Sequence, residues 1–322
     1  MLNRRNLLIA GAALPLPVFS QGSDNWPERP VKIIVGFPPG QASDIIARLL
    51  ADDLTTQLRA PFIVENKPGA GATLAAGAVA KAPRDGYTLL FSSSGPLTVA
   101  PSLYPKLGYD AVREIEPVVS IGWSPLVLLV PAESPYKSVK EIVDASRAGA
   151  KVFYGSGGNG VTNHLAMEAF KQMSGAMFSH VPYKGAAPAL TDLLANNIQV
   201  MFETATAAMP QVNAGKLKAL AVSTTRRYSE LPSVPTIAET YAGFEAVPWG
   251  IFCVPAGTPD RIKAKLASAL MRSLDNNEVR QKMLAVAFVA ERNMGPEASR
   301  KFLALETAKW KTVIQQAQIK VD

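Results

Sequence analysis

Val31-Lys-Ile-Ile-Val-Gly-Phe37-Pro-Pro-Gly40-Gln-Ala-Ser43-Asp44-Ile-Ile46-Ala-Arg48-Leu-Leu50-Ala-Asp-Asp-Leu54-Thr-Thr-Gln-Leu58 decides the fold class. The apolar, β-branched run from Val31 to Phe37 reads as a buried strand. A loop containing two prolines and a glycine follows, and then an amphipathic helix from Ser43 to Leu58. Ile46, Leu50, Leu54 and Leu58 recur at four-residue spacing and face a sheet, whereas Arg48 and Asp52 face water. Ser43 or Asp44 is placed to cap this helix.

The alternation continues outward from that stretch. Phe62 to Glu65 and Thr88 to Ser92 read as further strands, so the first part of the chain is a parallel-sheet α/β unit. A second unit starts at Leu126 to Pro131 and a helix opened by the capping box Ser138-Val-Lys-Glu141. It continues with a strand at Lys151 to Tyr154, a helix from Thr162 to Met173, a strand ending at Tyr183 and a helix near Pro188 to Leu194. Strands at Ile198 to Phe202 and Leu217 to Val222 complete it. The last third offers one strand, Gly250 to Val254, then a helix that Thr258-Pro259-Asp260 opens with Thr258 as cap and Pro259 in the first turn. Helices around Glu278 to Leu284 and Glu297 to Gln316 follow.

One strand with trailing helices cannot form a domain alone, so this segment is expected to return to the first lobe. The expected organisation is a leader over 1–22, a first lobe over 23–124, a second lobe over 125–248, and completion of the first lobe by 249–322. Two crossings between lobes are what a hinge requires.

Two loops carry the candidate chemistry. Gly155-Ser156-Gly-Gly158-Asn159-Gly160 sits between a strand and a helix and satisfies G-x-G-x-x-G. The ribose-binding acid expected about 20 residues later is missing, because the next strand ends Val181-Pro-Tyr183-Lys. What remains is an anion site of free backbone N–H groups at a helix N-terminus, with hydroxyls from Ser156 and Thr162. The competing reading is a tight strand-to-helix turn with Thr162 as N-cap. The first unit supplies a loop of the same kind, Phe37-Pro38-Pro39-Gly40-Gln41-Ala-Ser43-Asp44, and a polar strand end at Ser92-Ser93-Ser94. Two such helix N-termini facing each other can clamp two carboxylates. Asp44 would repel that ligand, so its reading is a cap that orders its own loop, with a ligand ammonium group as the alternative partner.

Several classes drop out. Tyr154 occupies the first position of a would-be G-x-S-x-G elbow, and His164 and His180 lack an acid at motif spacing. No H-E-x-x-H, cysteine pair or EF-hand loop suggests a metal, and no cofactor is expected. Cys253, the one cysteine, lies in an apolar stretch and reads as buried and unreactive. The formal net charge of +7 is spread among acids along helices, as in Arg261-Ile-Lys263-Ala-Lys265, without the basic stripe of a nucleic-acid binder. It suits attraction of anionic solutes.

Met1-Leu-Asn-Arg4-Arg5 followed by an apolar run from Leu7 to Phe19 and small residues at Ser20 to Ser23 reads as a cleavable export signal. The paired arginines resemble the twin-arginine motif, and a general secretion signal looks similar, so the Tat and Sec routes both stand. The apolar run falls short of the roughly 20 residues that span a bilayer. A periplasmic, soluble mature chain is expected.

The sequence resembles the Bug-type receptors of tripartite tricarboxylate transporters from Trp26-Pro-Glu-Arg-Pro30 nearly to its last residue. The matching motifs are Val35-Gly-Phe-Pro-Pro-Gly40 with Ser43-Asp44-Ile45, Val64-Glu-Asn-Lys-Pro-Gly69-Ala-Gly71, Asp85-Gly-Tyr-Thr-Leu89, Gly158-Asn-Gly160 with His164-Leu165, His180-Val-Pro-Tyr-Lys-Gly185, Pro188-Ala-Leu-Thr-Asp192 and Pro255-Ala-Gly-Thr-Pro259. The resemblance implies a type II periplasmic binding protein fold, two α/β lobes with a ligand cleft and a two-crossing hinge. It also implies a carboxylate ligand held by Phe37 to Ser43 and Ser156 to Thr162, no enzymatic activity, and delivery to membrane permease subunits.

The candidate ligand-binding set is Phe37, Pro38, Pro39, Gly40, Gln41, Ser43, Asp44, Ser92, Ser93, Ser94, Ser156, Gly158, Asn159, Gly160, Val161, Thr162, His164, Tyr183 and Glu203. Gln41 stands where the family usually has glycine, Val161 where a hydroxyl residue is common, and Glu203 where aspartate is frequent. These departures narrow the expected pocket and point to a mono- or dicarboxylate with an apolar or aromatic body rather than a citrate-like ligand. A receptor that feeds a sensor kinase, and a secreted hydrolase or dehydrogenase, are the alternatives; a monomer is expected.

Overall fold

In the computed structural model, which describes residues 25–291 and 295–320, the strand read from Val31 is β1 (Val31–Val35). Its side chains divide between two cores. Val31, Ile33 and Val35 join one apolar cluster and Ile34 another, which is why a parallel strand covered on both faces reads as continuously hydrophobic. The first cluster lies under α1 (Ala42–Leu58), where Ile46, Leu50 and Leu54 are fully buried, each contributing about 1.5–3 kcal/mol.

Chain order then gives β2 (Phe62–Asn66), α2 (Thr73–Ala80), β3 (Thr88–Ser92), a π-helical turn at Gly95–Val99, α3 (Ala100–Leu103) and the long β4 (Ile115–Trp123). The second lobe comprises β5 (Leu126–Pro131), α4 (Val139–Arg147), β6 (Val152–Ser156), α5 (Thr162–Ser174), β7 (Phe178–Pro182), α6 (Ala186–Leu194), β8 (Val200–Thr204), α7 (Ala205–Asn213) and β9 (Leu217–Val222). The chain ends with β10 (Trp249–Pro255), α8 (Asp260–Asp275), α9 (Asn277–Ala285), β11 (Val289–Ala290) and α10 (Pro296–Gln316). The export leader read at 1–22 lies outside the described residues.

Two sheets result, ordered β11-β4-β10-β3-β1-β2 and β7-β6-β8-β5-β9. In each, parallel strands carry the loops of interest at their carboxyl ends, and the antiparallel strands β10 and β5 sit among them. Leu126, Leu128 and Val130 of β5 enter the core shared with α4 and α5, whereas Val127 and Leu129 enter the core under α6 and α7. The fold is therefore two α/β lobes, as read from the alternation. Cys253 is fully buried in the first lobe, and burial pushes its thiol pKa well above the ordinary value.

The two crossings touch each other. Ser124 N–H donates to Pro248 O at 2.8 Å, Leu126 N–H donates to Ser223 Oγ at 3.0 Å, and Ser223 and Ala246 N–H donate to Leu126 O and Ser223 O. A third connection is α10, which begins on the first sheet and ends in the second lobe. Ser299 Oγ accepts from Ser120 N–H at 2.8 Å, while Trp310, Val313 and Ile314 enter the second core. Glu306 Oε2 accepts from the indoles of both Trp249 and Trp310 at 2.9 Å.

Some local readings change. β4 escapes the sequence pattern because Pro117 and Gly122 look like breakers; Pro117 sits where the register with β10 shifts, so its missing N–H is tolerated. Helix α7 is hidden by its internal Pro210. Helix α8 begins at Asp260 with Pro259 at the cap, not at Pro259 with Thr258 as cap, because the Thr258 hydroxyl turns back to donate to Pro255 O at 2.7 Å. Among the described residues no helix is long and apolar enough to cross a membrane.

Candidate functional site

The first-lobe loop leaves β1 at Gly36, where a Cβ would stand 2.3 Å from that of Ala72; only glycine fits this close approach. Gly40 then turns the chain with φ +83°, and Gln41, at φ −77° and ψ 160°, is the residue that caps α1. Neither Ser43 nor Asp44 is the N-cap, contrary to the sequence reading, because the helix already begins at Ala42. Asp44 is instead the third helical residue and reaches back: its Oδ2 accepts from Gly40 N–H at 2.9 Å and from Arg48 Nε at 3.0 Å. Its Oδ1 accepts from Asn66 Nδ2 at 2.8 Å, and the same amide nitrogen donates to Phe37 O at 2.9 Å. Burial opposes ionisation of Asp44, but the hydrogen bonds from Arg48, Gly40 and Asn66 outweigh it and hold the carboxyl below its ordinary pKa.

The second-lobe loop repeats this geometry. Gly160 has φ +76°, and Val161 caps α5 at φ −74° and ψ 160°, so Thr162 is the first helical residue and not the N-cap. His164 is the third helical residue and its Nδ1 accepts from Gly160 N–H at 3.0 Å. Thus Gly40, Gln41 and Asp44 correspond to Gly160, Val161 and His164. In both helices the first-turn N–H groups, of residues 42–44 and 162–164, have no intrahelical acceptor and stand at the positive end of the macrodipole.

Behind the second loop lies an aromatic stack. His164 and His180 are parallel at 4.0 Å between centroids, and Tyr154 lies 4.7 Å from His180. Ser156, fully buried, accepts from Gly158 N–H at 3.2 Å and lies 2.7 Å from His180 Nε2, so its hydroxyl braces the loop from within. Burial lowers the pKa of both histidines to about 4. Tyr154 donates to Glu168, which also accepts from Lys171.

Ser94, just after β3, and Thr162 bring the polar strand end of the first lobe and the second-lobe loop to one seam, with hydroxyl oxygens 3.4 Å apart across the lobes. Ser94 and Ser92 are buried, and the Ser92 hydroxyl makes no hydrogen bond among the described residues. Ser93 and Gly158 are half-buried, and Pro38, Pro39, Gln41, Asn159 and Val161 are exposed. Tyr183 lies under the glycine loop: its N–H donates to Ser156 O at 3.0 Å and its hydroxyl to Asp192 at 2.6 Å. Glu203, at the carboxyl end of β8, is 4% exposed; Oε1 accepts from Thr204 N–H at 2.7 Å, whereas Oε2 has no partner among the described residues. Burial raises its pKa.

Sequence reasoning missed the turn at Ala70–Ala72. Three successive residues have positive φ, 47°, 61° and 71°, and the turn packs on both Gly36 and Gly95. The Gly69-Ala-Gly71 signal was visible, but glycines alone do not reveal alanines held in the left-handed region. Among the described residues no group of three or more His, Cys, Asp or Glu side chains could hold a metal ion.

Comparison with known proteins adds four likenesses. Residues 46–319 match the TctC family, described as the tripartite tricarboxylate transporter family receptor. Protein BugT of Bordetella pertussis is 34% identical over 322 residues, covering 98% of this chain and 96% of BugT. A solved structure of R. palustris Rpa4515 with adipate is similar with a TM-score of 0.80 at 32% identity, covering 92% of this chain and 99% of that one. MatC from Rhodopseudomonas palustris with bound malate gives a TM-score of 0.75 at 30% identity, covering 90% and 100%.

Proposed function

The chain belongs to the tripartite tricarboxylate transporter receptor family, and from that premise we propose that it captures a small mono- or dicarboxylate in the seam between its lobes. The observation that carries this reading is the matched pair of helix N-termini, each with a glycine N–H tied back to the third helical residue. Tying back that one donor leaves the first-turn N–H groups of both helices for an anion. Ser94 and Thr162 bring hydroxyls to the same seam. Adipate and malate, the ligands in the two similar structures, are dicarboxylates and support the ligand class. Val161 and Gln41, one at each N-cap, favour a ligand with an apolar body over a citrate-like one.

In this reading the receptor works in the periplasm after export and hands its ligand to membrane permease subunits. A thermal-shift screen of the exported chain against mono-, di- and tricarboxylates, amino acids and neutral solutes tests the ligand class, because a ligand that binds the native state raises its melting temperature. Stabilisation by dicarboxylates is expected; stabilisation by neutral solutes or cations alone rejects the carboxylate reading.

A further inference from the structure

His164 and Asp44 hold equivalent places, yet they are chemically different. Asp44 is an anion whose charge is met by Arg48, with Arg48 Nη2 2.9 Å from Oδ1. The groups facing His164 are His180, Tyr154, Glu168 and Lys171, and Glu168 is already paired with Lys171 at 2.8 Å. A carboxylate at position 164 would therefore stand unneutralised beside a site that receives anions.

We propose that His164 is the positioning residue of the second-lobe loop: its unprotonated Nδ1 fixes the Gly160 N–H, and through it the aim of the first-turn N–H groups, without touching the ligand. This rests on the carboxylate reading of the cleft. Nδ1 can accept only when it carries no proton, so the neutral ring keeps its hydrogen on Nε2. Stacking on His180 and burial preserve that state. Protonation would set two N–H groups against each other and release the loop.

The sign follows from the environment. Burial, with His180 and Lys171 acting in the same direction against Glu168, lowers the His164 pKa to about 4 from 6.5. The Gly160 hydrogen bond is thus intact above that value and is lost as pH falls through it. Asp44 keeps its acceptor as a carboxylate, so acid releases the second-lobe loop first and the first-lobe loop later.

Position 44 also shows what substitution at 164 can do. An Asx-length side chain on the third helical residue reaches the glycine N–H four residues back at 2.9 Å. His164→Asn should therefore restore the bond that His164→Leu removes, and His164→Asp should restore it while adding repulsion.

The test is the amide proton shift of Gly160 in the ligand-free protein, followed by NMR from pH 7 to pH 3, with Gly40 as the internal reference, together with adipate titrations of the variants at pH 7. The expected results are a Gly160 inflection near pH 4 that is absent from His164→Leu, a Gly40 amide unmoved there, and an adipate affinity that falls about tenfold in His164→Leu and returns to within about threefold in His164→Asn. A flat Gly160 shift overturns the proposal. Equal affinity loss in the Asn and Leu variants, which is the mark of direct ligand contact, also overturns it. If no carboxylate binds the wild-type chain, the carboxylate reading fails by that measure, while the ligand-free amide titration still decides the role of His164.

Discussion

Ser94 on the first lobe and Thr162 on the second place their hydroxyl oxygens 3.4 Å apart, the point at which the polar end of β3 meets the glycine-rich loop of the second lobe. This contact exists only when the lobes are together. Replacing Ser94 by Ala and Thr162 by Val, singly and together, should weaken carboxylate binding non-additively, with a coupling of about 0.5–1 kcal/mol for residues in contact. Calorimetry on the four proteins of the cycle measures that coupling; strict additivity would place the residues in independent roles.

Gly40 has φ +83°, and a Cβ at this position would meet no atom within 4 Å, so a substituent there has space but points a new group into the loop. Gly40→Asp should remain folded, because aspartate tolerates the left-handed region at a cost of about 1 kcal/mol. Its carboxylate should nonetheless lower ligand affinity more than tenfold by repulsion at the anion site. Urea unfolding paired with calorimetry separates the two effects.

Glu203 supplies a pH prediction for stability. Its pKa is raised from an ordinary 4.5 by burial, so the folded state retains a proton that the unfolded state has already lost. Stability from this group is highest below the ordinary value and falls as pH rises through the folded one. Glu203→Gln does not titrate, so its melting temperature relative to wild type should climb as pH rises from 4.5 towards the raised folded value. A constant difference across that range would mean that the carboxyl is compensated.

Glu306 receives two indole N–H groups, from Trp249 of the first sheet and Trp310 of α10. Glu306→Ala leaves both donors buried and unpaired, which should destabilise the protein by about 2–4 kcal/mol in urea unfolding. The loss should exceed that of an exposed pair such as Lys282 with Glu278, whose removal costs little.

The alternation of β-branched runs and amphipathic helices made both lobes legible, because buried parallel strands leave a continuous apolar signature, as in Val31 to Val35, and the doubly covered β5 does the same from Leu126 to Pro131. It failed where tertiary context overrides a local breaker, at Pro117 in β4 and Pro210 in α7. The two loops were visible as glycine-rich strand-to-helix turns. Their helix caps were displaced by one to three residues, since Gln41 and Val161 cap through backbone geometry alone and make no side-chain cap hydrogen bond. The correspondence of Asp44 with His164 was not legible, because an acid and an imidazole share no sequence signal for a common acceptor role.

The most direct test of the two-loop clamp is isothermal titration calorimetry of adipate and malate against the exported wild-type chain, Gly40→Asp and Gly160→Asp. The clamp predicts saturable single-site binding of at least one of these dicarboxylates to wild type and its loss in both variants. Unchanged dicarboxylate affinity in both glycine variants would contradict it.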